Sequence, residues 1–250
     1  MNVIAFIQAR MSSKRLPNKV LLALAEKTVL EHIYSRLEYC KNINKIVVAT
    51  SSDETDNSII DLCEKNKMNY YQGSLNDVLD RYYQAATFYK ADVVVRITGD
   101  CPVIDPYIVD EVINNYFKSD YDLYSLSGDF PDGLDCQVFK YEALEKSWKE
   151  ANLLSDREHV GTYIERTCPE LFNTGGLIKF NNLSHHRWTL DEPNDYIFLK
   201  EIFSRLFNKD KLFLANDILE LLNKEPELMK INNNILRNEG YQESLNDERI

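Results

Sequence analysis

Uninterrupted apolar runs alternate with amphipathic segments through the first half of the chain. The runs at residues 3–7, 46–50 and 92–97 lack the regular polar alternation of a half-exposed strand, so we predict strands covered on both faces. A shorter strand is predicted at residues 68–71. Helices with one apolar face are predicted between and after these strands, at residues 29–40, 56–66, 76–89 and 106–117, with Asn76 and Pro106 suited to helix starts.

The repeated strand–helix order predicts an α/β protein, with three αβα layers around a mostly parallel, Rossmann-like sheet. Ligands of such sheets bind in the crevice outside the carboxyl ends of the strands. Three polar loops follow predicted strands, and we expect them to meet at that edge. They are the loop after the first strand, Gly73-Ser74 and Gly99-Asp100.

The second half has a less regular pattern. We predict strands at residues 121–127, 136–139, 177–180 and 187–190, and helices at residues 141–152, 156–167 and 191–207, followed by helical sequence from residue 212. No linker, repeat or low-complexity block separates these segments. A single domain over residues 1–250 is therefore predicted, with regions at 1–120, 121–208 and a helical tail at 209–250.

Composition and charge restrict the function classes. The 250 residues are 44% hydrophobic and 28% charged, and the net charge of −11 argues against nucleic acid or an anionic membrane as a partner. No apolar stretch approaches the ~20 residues of a membrane span, and the first residues do not resemble a signal peptide. Scattered cysteines without C-x-x-C pairs indicate reduced thiols and a cytoplasmic location; they are Cys40, Cys63, Cys101, Cys136 and Cys168.

One loop has a charge opposite in sign to the net charge of the chain. Residues 10–19 contain four cations and no acid, whereas the rest of the chain has 25 Lys and Arg against 40 Asp and Glu. Because the loop follows a buried strand, we predict that it binds an anion, specifically a nucleoside triphosphate, with hydroxyls from Ser12 and Ser13. A solvated loop with chance positive charge is the alternative. The Walker A pattern does not occur. The four cations are Arg10, Lys14, Arg15 and Lys19.

Two carboxylates lie directly after predicted strands. Asp100 follows Gly99, which permits a close approach of backbone or ligand, and Asp191 follows the apolar residue Leu190. Two carboxylates at one sheet edge suit Mg²⁺ bound to phosphate oxygens. The alternative is that both cap helices, although Asp105 and Asp195 are better placed for capping.

Other polar groups are less specific. Asp132 and Asp135 lie in a turn, and turn residues often have no further role. His159 on a predicted helix would contact a substrate or be structural, and these two roles remain open. His185 and His186 precede Arg187 in a possible recognition patch, but adjacent histidines on a strand face opposite sides and do not form a metal pair. Cys101 is interpreted as a small buried thiol because no paired base accompanies it.

The segment at residues 7–19, IQARMSSKRLPNK, resembles the signature of the acid-sugar cytidylyltransferases. This family includes the KDO and acylneuraminate cytidylyltransferases, and the resemblance is strongest to the branch called spore coat polysaccharide biosynthesis protein F. Further matching segments follow in the family's order over essentially the whole chain. They are GS at 73–74, DVLDRY at 77–82, TGDCP at 98–102, PDGLD at 131–135, REHV at 157–160 and RWTLDEPND at 187–195.

The resemblance implies a GT-A-type nucleotidyltransferase fold, CTP as donor, Mg²⁺ as cofactor, release of pyrophosphate and a homodimer. It implies that residues 1–120 bind the nucleotide and that residues 121–208 bind the sugar-like acceptor and the partner subunit. The implied catalytic residues are Arg10, Lys19 and Asp100, and the implied metal ligands are Asp100 and Asp191. Nucleotide contacts are implied for Ala9, Arg10, Ser12, Ser13, Arg15, Lys19, Gly73, Ser74 and Asp100, and acceptor contacts for Asp132, Asp135, Arg157, His159 and Arg187.

Three positions depart from the family pattern. Ser12 and Asn18 stand where glycine is frequent, and Gln72 stands where close relatives often have arginine. Asn18 is a mild change because asparagine tolerates left-handed backbone angles. Two other functions remain as alternatives: a GT-A glycosyltransferase, which would use a D-x-D metal site, and a non-catalytic nucleotide-binding subunit.

Overall fold

A twisted seven-stranded sheet forms the centre of the protein. The computed structural model describes residues 1–235 and residue 237. Strand order across the sheet is β5-β4-β1-β6-β8-β7-β9, and a two-stranded ribbon, β2-β3, lies apart from it. The strands are β1 (Val3–Gln8), β2 (Ala23–Leu24), β3 (Lys27–Thr28), β4 (Lys45–Ser51), β5 (Asn69–Gly73), β6 (Val93–Thr98), β7 (Leu123–Ser127), β8 (Gln137–Lys140) and β9 (Thr174–Ile178).

Helices connect the strands and cover both faces of the sheet. The α-helices are α1 (Val29–Leu37), α2 (Asn57–Lys65), α3 (Val78–Tyr89), α4 (Pro106–Tyr116), α5 (Tyr141–Glu150), α6 (Leu154–Glu158), α7 (Pro193–Leu206) and α8 (Ala215–Lys224). Short 3₁₀ helices lie at Lys19–Leu21, Glu54–Asp56, Pro169–Leu171 and Pro226–Ile231, and a π-helical turn lies at Tyr163–Thr167.

The sheet is mostly parallel, which confirms the predicted α/β class. Strand β8 pairs antiparallel with both β6 and β7, while every other pairing in the large sheet is parallel. The carboxyl ends of β1, β4, β5, β6 and β7 therefore share one edge with the start of β8. The predicted ligand crevice lies at this edge.

Two hydrophobic cores lie on opposite faces of the sheet because side chains alternate along each strand. In β1, Ala5 and Ile7 pack in the core that includes α1, α2, α4, α7 and α8. Ile4 and Phe6 point the other way, into the core formed with α3 and α5. All four side chains have 0% exposure, which explains the continuous apolar run in the sequence.

Helix starts follow local capping chemistry. Thr28 and Glu31 form a reciprocal capping box at α1, and Asp105 accepts hydrogen bonds from the backbone of α4 just before Pro106. The predicted start of α3 was wrong by one residue, because the side chain of Asp77, not that of Asn76, caps it by accepting from the Asp80 N–H at 2.8 Å.

Two strand predictions in the second half need correction. The strand predicted at residues 177–180 lies at Thr174–Ile178, since Gly175 and Gly176 allow β9 to pack closely against side chains of the β7 region. Residues 187–190 form only a single bridge to Asp132. This segment is apolar because it is buried beneath the Asp132 turn and Asp100, where Trp188 N–H donates to the Asp132 carbonyl at 2.7 Å.

The helix predicted at residues 156–167 is two separate elements. Helix α6 ends at Glu158, and the π-helical turn begins at Tyr163. Between them Gly161 packs so closely on Gln137 that an added Cβ would lie 2.8 Å from its Nε2. This close contact with the sheet lies in the segment that separates the two elements.

The tail from residue 209 packs on the domain as α8 and the 3₁₀ helix Pro226–Ile231. The predicted helical tail at residue 236 and residues 238–250 lies outside the described residues. Within the described part, no helix has the length and apolarity needed to cross a membrane. All five cysteines are free thiols, as predicted.

Candidate active site

A buried carboxylate holds the basic loop against the sheet. Asp56 has 0% exposure, and its Oδ1 accepts the Met11 backbone N–H at 2.7 Å. Its Oδ2 accepts from the hydroxyls of Thr50 and Ser51 at 3.1 and 2.5 Å. The sequence showed only an acidic residue near a helix start and gave no signal for this role.

Asparagine at position 18 suits the loop's backbone. Asn18 has a φ of 61°, and its N–H donates to the Met11 carbonyl at 3.1 Å as the 3₁₀ helix at Lys19 begins. The left-handed angle is one that asparagine accepts readily. The prediction that asparagine is tolerated at position 18 is therefore confirmed.

Lys19 joins the two predicted strand-end carboxylates. Its Nζ lies 3.0 Å from Asp100 Oδ2 and 2.7 Å from Asp191 Oδ1, although these residues are far apart in the sequence. The side chains of Lys19, Asp100 and Asp191 are 13%, 22% and 22% exposed. The cluster therefore remains open to solvent and ligands on one side.

The pKa values in this cluster favour charged groups. Burial opposes ionisation of Asp100, but the Lys19 charge and hydrogen bonds from neighbouring side chains outweigh it and lower the pKa of Asp100 to about 2. Burial likewise disfavours the Lys19 ammonium, yet Asp100 and Asp191 raise the pKa of Lys19 above its usual value. Lys19 is therefore a protonated cation at neutral pH.

Close backbone packing brings the two carboxylates together. Gly99 lies against β1 so tightly that an added Cβ would be 2.5 Å from the Gln8 carbonyl oxygen. The Asp100 carbonyl accepts the Leu190 N–H at 2.8 Å, which places Asp191 beside Asp100. Gly99 thus allows the backbone of β1 to approach closely, which is one of the two roles predicted for it.

The remaining loop cations extend along the same edge. Arg15 lies 3.5 Å from Asp191 and 3.3 Å from Glu192, and Arg10 lies 3.7 Å from Glu158 on α6. The side chains of Arg10 and Arg15 are 38% and 30% exposed. The loop thus presents two partly exposed guanidinium groups besides the Lys19 ammonium, and Lys14 is exposed.

A buried arginine lies next to Gly73, one of the implied nucleotide contacts. Arg81 on α3 has 0% exposure, and a Cβ added at Gly73 would lie 3.0 Å from its Cγ. Its three guanidinium nitrogens have no hydrogen-bond partner among the described residues, and burial lowers its pKa. Ser74 lies just before the start of α3, where its hydroxyl accepts the Asp77 N–H at 3.0 Å. Arg81 was missed because its position fits an ordinary amphipathic helix.

The predicted acceptor residues fall into two groups. Asp132 and Arg187 form one group, joined by a hydrogen bond of 3.0 Å, and Arg237 approaches both Asp132 and Asp135 within 4 Å. In the other group, the Arg157 guanidinium binds Asp77 Oδ2, with a distance of 2.8 Å from Nε.

Burial shifts the pKa values of two predicted acceptor residues, Asp132 and His159. Burial and the neighbouring Asp135 raise the pKa of Asp132 to about 7, and burial lowers the pKa of His159. Arg187 also binds both oxygens of the buried Asp195 at 2.9 Å, so much of its bonding capacity serves the fold.

The carboxylate pair fits a divalent cation. Within residues 1–235 and 237, no group of three or more His, Cys, Asp or Glu side chains is arranged to hold a metal. Asp100 and Asp191 nevertheless converge on one cationic atom, Lys19 Nζ. Mg²⁺ commonly takes one or two carboxylates and completes its coordination with water and phosphate oxygens, so this donor set is compatible with it.

Comparisons with known proteins identify the chain's family and related folds. A family model described as cytidylyltransferase matches residues 4–239. The chain is 31% identical to the spore coat polysaccharide biosynthesis protein SpsF of Bacillus subtilis over 91% of this chain and 97% of that protein. It is also 31% identical to the 3-deoxy-manno-octulosonate cytidylyltransferase of Geobacter sulfurreducens, over 45% of this chain and 44% of that one. A solved cytidylyltransferase structure from Leptospira borgpetersenii has a TM-score of 0.86 at 32% identity, covering 92% of this chain and 97% of that chain.

Proposed function

The chain belongs to the cytidylyltransferase family, and from that premise we propose that it transfers CMP from CTP to an acidic, sugar-like acceptor. The observation that carries this proposal is the position of Lys19, in the basic loop, between Asp100 and Asp191, with the partly exposed Arg10 and Arg15 in the same loop. A triphosphate needs several cations, and an acceptor oxygen attacking it needs a fixed direction. The cations at the carboxyl edge of the sheet support the first requirement.

In the proposed reaction an acceptor hydroxyl loses its proton to solvent and its oxygen attacks the α-phosphorus of CTP. A new phosphorus–oxygen bond forms, the bond to the bridging oxygen of the β-phosphate breaks, and pyrophosphate leaves. Arg10, Arg15 and Lys19 supply positive charge where negative charge develops, in a loop whose backbone Asp56 has already ordered. Such a preorganised arrangement lowers the barrier because little reorganisation is needed during the reaction.

We propose Mg²⁺ as the cofactor, held by Asp100 and Asp191. When bound, it would neutralise phosphate charge and align the triphosphate. The low pKa of Asp100, about 2, keeps this ligand ionised at neutral pH. Lys19 contacts the same two carboxylates.

The biological setting follows from the relatives. Because SpsF is named for spore coat polysaccharide biosynthesis, we propose that this chain activates a sugar for a surface polysaccharide or glycan. A cytoplasmic location, where CTP is available, and a homodimer are part of the proposal.

The decisive experiment is pyrophosphate release with each of the four nucleoside triphosphates, Mg²⁺, and a panel of acid sugars and phosphorylated polyols. We expect release with CTP and at least one acidic acceptor, and calorimetry should detect CTP binding. Binding of a UDP-sugar without CTP binding would instead support the glycosyltransferase alternative. Binding of CTP without turnover on the whole panel would favour a non-catalytic role.

A separate variant tests the proposed metal site. Asp191→Asn removes one charge from the carboxylate pair but keeps its shape, so Mg²⁺ should enhance CTP binding much less than in the wild type. Calorimetric titration of CTP with and without Mg²⁺ measures this difference, and Asp129→Asn on an exposed loop is the matched control. Equal enhancement in Asp191→Asn and wild type would remove Asp191 from the metal site.

A further inference from the structure

Arg237 of the C-terminal tail lies on the acidic turn, which we define as residues 130–135. Its Nη1 donates to the Phe130 carbonyl at 3.0 Å, and its guanidinium carbon lies 4.3 Å from the centre of the Phe130 ring. The Arg237 side chain is 27% exposed. The hydrogen bond and the ring contact therefore hold a partly buried cation against this turn.

The same guanidinium faces two carboxylates. Its Nε lies 3.8 Å from Asp132 Oδ1, and its Nη2 lies 3.6 Å from Asp135 Oδ1. These are ion-pair distances, longer than those of hydrogen bonds. Two neighbouring carboxylates repel each other when both are charged, and a cation that faces both offsets this repulsion.

Asp132 connects Arg237 to the candidate metal site. Its Oδ1 faces Arg237, while its Oδ2 accepts from Arg187 Nη1 at 3.0 Å. Arg187 Nη2 lies in turn 3.5 Å from Asp191 Oδ2. A chain of alternating charges thus runs from the C-terminal tail to one of the two strand-end carboxylates.

The backbone of the acidic turn is fixed independently of these charges. The Asp132 N–H donates to the His186 carbonyl at 2.9 Å, and its carbonyl accepts the Trp188 N–H at 2.7 Å. Gly133 has a φ of 100°, and a Cβ added there would lie 2.6 Å from the backbone nitrogen of Thr189. A loss of charge at this turn should therefore act on the side chains and leave the backbone in place.

Arg237 opposes the effect of burial at both carboxylates. Burial raises the pKa of Asp132 to about 7, and the Asp135 carboxylate adds to this rise. Arg237 and Arg187 oppose it, and Arg237 is the stronger of the two. Burial also raises the pKa of Asp135, where Arg237 is again the strongest opposing group. Without Arg237, both carboxyl groups would hold their protons to a higher pH.

Other charged groups face the two carboxylates from the elements packed against the turn. Asp100, directly after β6, raises the pKa of both, and Arg96 on β6 lowers the pKa of Asp135. Burial lowers the pKa of His186 to about 4, so this ring is neutral between pH 5 and pH 8. Arg237 differs from these groups because it forms ion pairs with both carboxylates.

We propose that Arg237 is a positioning residue of the candidate active site. By pairing with both carboxylates of the acidic turn it keeps Asp132 charged, and charged Asp132 holds Arg187 beside Asp191. The inference rests on the proposed cytidylyltransferase function and gives the C-terminal tail a part in that site. Loss of the Arg237 charge should have its largest effect where Asp132 is otherwise ionised, at and above pH 7.

Thermal melts at pH 5 and pH 8 test the effect of Arg237 on these carboxylates. Arg237→Met removes the charge and keeps an unbranched side chain. Its loss of melting temperature should be at least about 2 °C larger at pH 8 than at pH 5, because the variant gives up an attraction that exists only when the carboxylates are ionised. Arg237→Lys keeps the charge and should restore most of this difference.

Two further proteins control the melts. Arg205 is 32% exposed and pairs with Glu201 and Glu225 instead of the acidic turn, so Arg205→Met should lose the same melting temperature at both pH values. In a background with Asp132→Asn and Asp135→Asn, Arg237→Met should lose its extra effect at pH 8, since neither position can ionise. Equal losses for Arg237→Met at the two pH values, or an extra loss that persists in this background, would overturn the inference.

The pH profile of pyrophosphate release tests the positioning role itself. With CTP, Mg²⁺ and the best acceptor of the panel, the rising limb of kcat/KM should lie at least about 0.5 pH unit higher in Arg237→Met than in wild type, and Arg237→Lys should restore it. CTP affinity at pH 8 should stay within about twofold of wild type, since the basic loop is unchanged. An unshifted profile would overturn the positioning role.

The two proposals fail in different ways. If wild type released no pyrophosphate with any acceptor, the cytidylyltransferase function would be overturned, and the melts would still show whether Arg237 keeps the turn charged. If wild type were active and Arg237→Met had an unshifted profile, the function would stand and Arg237 would serve the fold alone.

Discussion

Asp132 has a pKa well above that of an ordinary aspartate. Its side chain is 15% exposed and contacts Arg187 at 3.0 Å, yet burial and the nearby Asp135 carboxylate raise its pKa to about 7. The arginine contacts offset only part of this effect. Asp132 therefore changes charge near neutral pH.

This shift predicts a pH-dependent contribution to stability. An aspartate in the unfolded chain has a pKa of ~3.9, so the folded state holds the proton more strongly between pH ~4 and ~7. The contribution of Asp132 to stability is complete below that window and is lost as the pH rises through about 7. Asp132→Asn, which cannot ionise, should gain melting temperature relative to wild type between pH 5 and pH 8.

Thermal melts of wild type, Asp132→Asn and the exposed control Asp129→Asn across this range provide the measurement. The melting temperature of the control should change with pH in the same way as that of wild type. If the melting temperature of Asp132→Asn also changed with pH in that way, Asp132 would titrate as an ordinary carboxylate.

The elements that the sequence predicted well are those whose signal is local. The buried strands β1, β4 and β6 followed from uninterrupted apolar runs, and the basic loop stood out because its charge opposes that of the chain. Features that depend on long-range packing could not be predicted from the sequence. The 187–190 segment is apolar like a strand, but a turn covers it. Arg96 interrupts an apolar strand in the sequence, and only the strand register shows that it pairs with Gln137.

The junction between β1 and β6 should be intolerant of a single added methyl group. Gly99 N–H donates to the Gln8 carbonyl at 2.8 Å, and a Cβ on Gly99 would lie 2.5 Å from the same oxygen. Gly99→Ala must displace backbone on one side, which typically costs about 1–3 kcal/mol. It should also weaken CTP binding, because Asp100 would shift relative to Lys19.

Urea unfolding gives the free energy of unfolding for Gly99→Ala, and calorimetry gives its CTP affinity. Ser119→Ala, at an exposed position after α4, serves as the control and should match wild type in stability within about 0.5 kcal/mol. A Gly99→Ala protein with unchanged stability would show that the strand ends can separate without cost.

At the scale of the whole molecule, the tail is connected to the candidate metal site. Asn232 is 2% exposed, and its Nδ2 donates to the Arg187 carbonyl at 3.0 Å and to Asp195 Oδ1 at 2.9 Å. The other oxygen of Asp195 accepts the backbone N–H of Asp191 at 3.0 Å. A residue near the end of the chain thus helps to fix the backbone of a carboxylate that pairs with Lys19.

Removal of this link should affect stability and the site together. Asn232→Ala leaves a buried carbonyl and one carboxylate oxygen with fewer donors, for which we expect a loss of about 1–3 kcal/mol in the free energy of unfolding. The Mg²⁺-dependent enhancement of CTP binding should also fall, since Asp191 would be held less firmly. Asn233→Ala changes the exposed neighbour and should retain both properties. If Asn232→Ala lost stability but kept the full metal effect, the tail would support the fold without positioning Asp191, and the connection would be structural alone.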